Sequence, residues 1–181
     1  MKKNKKGFSL VEIIVSLLVI SIILGFATSF IFTGENLFRN TVQSDTEKSI
    51  GDNTLSYMVE SIRYAQDIEI LPEGKISSIK YKRAIFLSDN NHIGIKVSEE
   101  IDENIYGDYF YQNNTVDYSV KVLNANCIEL KVNVYNRDGE MKYTVTNVVK
   151  LLNMNVNNKV IEIDSTLKDI EIKNAVISFE R

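Results

Sequence analysis

The sequence predicts an α+β protein: one long N-terminal α-helix, apolar in its first half, packed on an antiparallel β-sheet C-terminal domain. Three observations carry that prediction. The run from Ile13 to Gly34 contains no charged residue. Helically spaced apolar residues continue beyond it, and the single proline, Pro72, comes only afterwards. After Gly74 the apolar period changes to two, and clusters of turn residues separate short segments.

The apolar run is long enough to be a membrane element. As a helix its length is about 33 Å, enough to cross a bilayer core. Lys2, Lys3, Lys5 and Lys6 precede it, so the positive-inside rule keeps the N-terminus in the cytoplasm and turns the rest of the chain outward. A secretory signal peptide would have an apolar core of about 7–15 residues ending in small residues. Gly25-Phe26-Ala27-Thr28-Ser29 is a poor match to that ending.

The helix is expected to continue over residues 35–68 as an amphipathic extension. Leu55, Met58, Val59, Ile62 and Ala65 form a helical stripe suited to docking on a core. Gln43 to Ser49 is wholly polar. Leu71-Pro72-Glu73-Gly74 ends the helical region, and 69–181 is the β-rich outer domain. Ile76, Ile79 and Tyr81 suggest a first strand. Ala84–Ser88 and Ile93–Val97 flank Asp89-Asn90-Asn91-His92, a hairpin signal. Tyr106–Tyr111 and Thr115–Val122 flank Gln112-Asn113-Asn114, a second one. Ile128–Tyr135 and Glu140–Leu151 flank Asn136-Arg137-Asp138-Gly139, the strongest turn of the set. Val160–Ile163 and Ile170–Phe179 complete the pattern.

Composition narrows the chemistry. The chain has 181 residues, 44% hydrophobic and 25% charged, which excludes wholesale disorder. A single cysteine, Cys127, excludes a disulfide framework and a cysteine-built zinc site. A single histidine, His92, excludes multi-histidine metal centres. The net charge of −3 argues against a nucleic-acid-coating protein, and Lys80, Lys82 and Arg83 make only a small basic spot. No phosphate loop or Ser/His/Asp set can be defended, so neither catalytic residues nor a cofactor are expected. Cys127 is expected to be buried, and His92 to be solvent-exposed in its turn. Glu99, Glu100, Asp102, Glu103 and Asp108 fall in an expected loop. Their oxygens would suit calcium, but the spacing matches no EF-hand and a solvated loop is the plainer reading. Asn155, Asn157 and Asn158 fit turns and name no ligand.

The junction is more specific. Lys5-Lys6-Gly7-Phe8-Ser9-Leu10-Val11-Glu12 leads straight into the apolar run. A basic leader, Gly-Phe, a hydroxyl residue, Leu and a Glu at this offset resemble the class III signal sequence of the type IV pilin and pseudopilin superfamily. The resemblance covers Lys2 to about Ile31. It implies that a prepilin peptidase removes residues 1–7 by cutting between Gly7 and Phe8, and methylates the new Phe8 amine. Residues 8–34 then form a transmembrane and filament-core helix. The resemblance also implies a pilin fold, other pilin subunits as partners and an inner-membrane assembly platform. The chain would reside in the membrane before assembly and in an extracellular filament after it. Many major pilins carry a helix proline near the position of Ser29; here only Gly25 could loosen the helix.

Physical chemistry gives Glu12 a task. It lies one helical turn after Phe8, on the same face. A carboxylate in the membrane centre costs several kcal/mol, about 2.5–3.5 for Asp on insertion scales. The Phe8 amine unmasked by cleavage is its available counter-charge, in the same chain or from a neighbour. The segment from Leu55 to Ile68 is loosely similar to minor pilins and pseudopilins of the PilW and J-type group. The first reading is therefore a minor pilin of a type IV pilus. A pseudopilin of a competence or type II secretion system is the second. An uncleaved membrane-anchored binding domain is the alternative from another class.

Overall fold

A computed structural model describes residues 9–102, 104–154, 160–165, 167 and 171–181. It divides into two units, residues 1–43 and 44–181. Helix α1 runs without interruption from Leu10 to Ile62. Its apolar stretch passes through Gly25 and Ser29 as regular helix, and no proline deprives it of a backbone donor there.

In the second unit, α1 carries its apolar stripe into a core. Ile50, Leu55, Met58, Val59 and Ile62 are buried. The helix stops at Ile62, and Ala65 is buried in the turn that follows. Residues 67 and 68, read from the sequence as the end of the amphipathic helix, instead open β1 (Asp67–Leu71). Pairing with a C-terminal strand decides this: Ile70 lies opposite Ile177, a partner about a hundred residues away that no local window contains.

The remaining elements follow in order. Ile76–Ser78 is a short 3₁₀ turn, where the sequence suggested a strand. Then come β2 (Arg83–Leu87), β3 (Ile93–Val97), β4 (Glu100–Asp102), the one-turn helix α2 (Asp108–Tyr111), β5 (Thr115–Asn124), β6 (Cys127–Tyr135) and β7 (Met141–Lys150). The C-terminal part holds β8 (Glu162–Ile163), β9 (Glu171–Lys173) and β10 (Val176–Glu180). Ile170 lies outside the described residues, as do Asn155, Asn157 and Asn158.

Two sheets form. The six-stranded sheet has the order β4-β3-β2-β10-β1-β8 and the four-stranded sheet β7-β6-β5-β9. All pairings are antiparallel except β1 with β8. The β2–β3 hairpin and the β6–β7 hairpin form as the turns required. Gly139 takes φ 77° in the second, a left-handed value that glycine adopts without strain. Tyr106–Tyr111 does not pair with β5. Asp108–Tyr111 is helical, and the fully buried Tyr111 hydroxyl accepts from the Ile93 N–H at 3.1 Å. β5 pairs with β6 and β9 instead.

The two sheets and α1 share one core. Val116, Tyr118, Val120, Ile128, Leu130, Val132, Val134 and Val149 supply the four-stranded sheet's side; Ile68, Ile70, Ile85, Ile93, Ile177 and Phe179 supply the other. The far face of the six-stranded sheet is covered by a smaller cluster of Leu71, Ala84, Phe86 and Val176 with Ile76 and Ile79. The helix approaches the four-stranded sheet closely at Gly51, where a Cβ would stand 2.6 Å from the Tyr143 ring. The Tyr143 hydroxyl donates to Asp52 Oδ1 at 2.8 Å and the Tyr106 hydroxyl to the Asn53 carbonyl at 3.0 Å. The first bond fixes the rotation of the helix over its sheet, and the second ties the helix to the loop before α2.

Candidate functional site

The candidate site is the start of α1 and its apolar stretch. Ser9 is the residue before the helix. Its Oγ accepts from the Glu12 N–H at 3.3 Å, and the Glu12 carboxylate accepts from the Ser9 N–H at 3.4 Å. This reciprocal pair is a capping box, which satisfies two of the backbone donors that every helix N-terminus leaves open. The Ser-x-x-Glu spacing is legible in the sequence, although the sequence reading takes Ser9 only as a small hydroxyl residue. The negative carboxylate also sits in the first turn, where the helix dipole favours it.

Beyond the cap, the stretch contains several hydroxyls bonded within the helix. Ser16 donates to the Glu12 carbonyl at 2.7 Å, Ser21 to Leu17 at 2.8 Å, Thr28 to Leu24 at 2.6 Å and Thr33 to Ser29 at 2.9 Å. Each of these polar groups is thus satisfied by the helix itself, the condition for entering an apolar medium. Leu17, Leu18, Ile22, Leu24, Phe26, Phe30 and Phe32 are each more than half exposed. The helix is long and apolar enough to cross a membrane, and its most apolar window has no residue buried in the chain. Such a surface requires lipid or other protein as cover. Where it ends, Arg39 Nη2 meets Glu35 Oε1 at 2.6 Å, an exposed i, i+4 pair worth about 0.3–0.5 kcal/mol.

Lys2, Lys3, Lys5, Lys6, Gly7 and Phe8 lie outside the described residues, so only Glu12 of the sequence-predicted site has a described position. The acidic candidates are not one loop. Glu100 and Asp102 belong to edge strand β4, opposite Val97 and Ile95. Backbone pairing to β3 overrides their low strand propensity. Asp108 opens α2 and accepts from Asn104 Nδ2 at 2.7 Å, while Glu99 sits in the turn before β4. Glu103 lies outside the described residues. Among the described residues no group of three or more His, Cys, Asp or Glu side chains could hold a metal ion.

Two further expectations are corrected. His92 is not solvent-exposed: its side chain is 12% exposed and stacks on Tyr111 with ring centroids 3.9 Å apart. Burial lowers its pKa below the ordinary value, and Asp108, 3.7 Å away, opposes that shift. Burial likewise pushes the Tyr111 hydroxyl up to about 12. The cause is α2, which folds over the β2–β3 turn and covers the imidazole. Cys127 is half-buried, because its odd position in β6 turns it to the face opposite the core residues Ile128 and Leu130. Lys80 pairs with Glu162 at 2.8 Å, so the small basic spot is partly neutralised.

A family model for the prokaryotic N-terminal methylation motif matches residues 2–28. No curated protein and no solved structure matches the chain. The motif marks a pilin- or pseudopilin-like prepilin substrate and indicates a structural protein that assembles with other pilins after meeting a prepilin peptidase. Together with the apolar helix it points to membrane anchoring followed by a place in a surface filament. The chain therefore carries a type IV pilin-like prepilin motif at the head of an α+β, pilin-like architecture.

Proposed function

We propose that this chain is a minor structural subunit of a type IV pilus. It is cut between Gly7 and Phe8, methylated on the Phe8 amine and drawn from the cytoplasmic membrane into an extracellular filament by an inner-membrane assembly platform. Lys2, Lys3, Lys5 and Lys6 hold the N-terminus inside until cleavage removes them. The mature chain then comprises the core helix 8–34, its extension over 35–68 and the outer domain 69–181, and performs no reaction of its own. The observation that carries this reading is the internally satisfied, uncovered apolar helix headed by Glu12, coinciding with the methylation motif. In the filament, Glu12 of one subunit meets the Phe8 amine of a neighbour, which sets axial register in a low-dielectric core.

Mass spectrometry of the full chain made with a prepilin peptidase tests the processing. The expected product begins at methylated Phe8. A chain that retains its lysine-rich leader overturns the reading and favours an uncleaved membrane-anchored domain. Immunogold labelling of surface filaments then separates pilus from pseudopilus: label along or at the tip of long extracellular fibres supports the minor pilin. Label confined to the envelope of secreting or competent cells assigns a pseudopilin.

A further inference from the structure

The edges of the two sheets differ in a way that the filament reading does not use. An edge strand presents unpaired backbone donors and acceptors, and proteins blunt such edges by keeping them short, charged, bulged or covered. Among the described residues three of the four edges obey: β4 and β9 have three residues each and β8 has two. The fourth, β7, has ten. Its only irregularity is a register shift near Met141, so Tyr143 to Lys150 is a straight edge. That segment reads Tyr-Thr-Val-Thr-Asn-Val-Val-Lys, rich in strand-forming residues and without proline or glycine. Among the described residues, no strand other than β6 pairs with it.

We propose that β7 pairs with β7 of a second copy, antiparallel, making one continuous sheet across two chains. Charge selects the occupant's direction. Glu140 stands just before the strand, 2.6 Å from Lys142 Nζ of its own chain, and Lys150 ends the strand. Parallel pairing would set Glu140 against Glu140 and Lys150 against Lys150. Antiparallel pairing brings Lys150 of each copy to the Glu140 end of the other. The faces then select the register. Tyr143, Val145 and Val149 turn toward the core, while Thr144, Thr146 and Val148 are exposed on the outer face. Side chains alternate, so both copies keep their apolar faces on one side only when residues of like parity stand opposite. The register centred on Val145 does so. It sets Thr144 opposite Thr146 of the second copy twice, a favourable cross-strand pair, and opposes no like charges. One step away, Lys142 approaches Lys150 of the other copy.

Disulfide trapping in membranes tests this without reference to leader processing, so its outcome is separable from that of the pilin reading. Two differently tagged full-length chains, both Cys127→Ser, are co-expressed, one carrying Thr144→Cys and the other Thr146→Cys. Mild oxidation is expected to yield at least about tenfold more mixed dimer than the off-register combination of Thr144→Cys with Val148→Cys, because disulfide geometry tolerates little misalignment. A second measurement avoids cysteine. In native mass spectrometry of the detergent-extracted chain, Val148→Lys opposes Lys142 of the other copy and is expected to weaken the dimer about tenfold. Equal trapping in and out of register, monomer alone in both assays, or capture of a different protein by the thiol introduced in Thr144→Cys without self-dimer each overturns the proposal.

Discussion

Replacing Glu12 by Gln separates two roles that the same side chain could play. Gln serves in a capping box as Glu does, so Glu12→Gln keeps the local helix start and removes only the charge. Ser9→Ala does the reverse. Both capping bonds are long, 3.3 and 3.4 Å, so the box belongs at the lower end of the capping range, about 0.5–1 kcal/mol. That is a factor of only about two to five in any equilibrium it biases. A desolvated amine left without its carboxylate costs about 3–5 kcal/mol, which is more than about a hundredfold per joined subunit. Filaments sheared from cells and quantified against the membrane pool by immunoblot give the readout, with processing checked by mass. Both variants are expected to be cleaved. Ser9→Ala is expected to assemble within a few-fold of the parent, and Glu12→Gln to be nearly absent from filaments. Normal assembly of Glu12→Gln, or an equal loss in Ser9→Ala, would refute the charge-pairing argument.

Three stability predictions concern the outer domain, each read by thermal unfolding of the full chain in detergent. Gly51→Ala gains about 1 kcal/mol of helix propensity, but its Cβ strikes the Tyr143 ring, which is tied to Asp52 at 2.8 Å. Overpacking of about 1–3 kcal/mol outweighs that gain, so Tm falls; a rise would mean the ring yields freely. Tyr118→Phe removes the donor to the Ala175 carbonyl in the buried core and is expected to cost about 1–3 kcal/mol. His92 has a lowered pKa in the fold, so the unfolded chain binds its proton first as pH falls. Stability is therefore full above the unfolded value of about 6.5 and declines as pH drops from there toward the lower folded value. His92→Phe is expected to flatten that part of the Tm–pH curve, and an unchanged slope would exclude His92 as its source.

Much of the functional end was legible because its signals are local. Glu12, the charge-free run and the lysines before Gly7 fall in one short stretch of sequence, and so does the Ser9–Glu12 box, whose spacing is a recognised helix start. The β2–β3 and β6–β7 hairpins were legible for the same reason, since Asn, Asp and Gly at their turns dictate the backbone. The misreadings share the opposite cause. Residues 67 and 68 follow directly on the helical stripe that ends at Ala65, and they join a strand because β10 supplies a partner. Asp108–Tyr111 has strand-like residues but folds as a turn of helix because Tyr111 is drawn under the β2–β3 hairpin. His92 was misplaced for that reason too: nothing in a turn sequence reveals which distant segment will cover it.

The amino-acid order alone determined a membrane-length helix with a processing-type junction, followed by alternating strands, because periodicity, turn chemistry and charge act over a few residues. Only the tertiary structure decided how those strands divide into two sheets, which edge is long and unpaired among the described residues, and which polar side chains are enclosed. Those outcomes depend on contacts between residues many tens of positions apart, where burial and backbone pairing outweigh local preference.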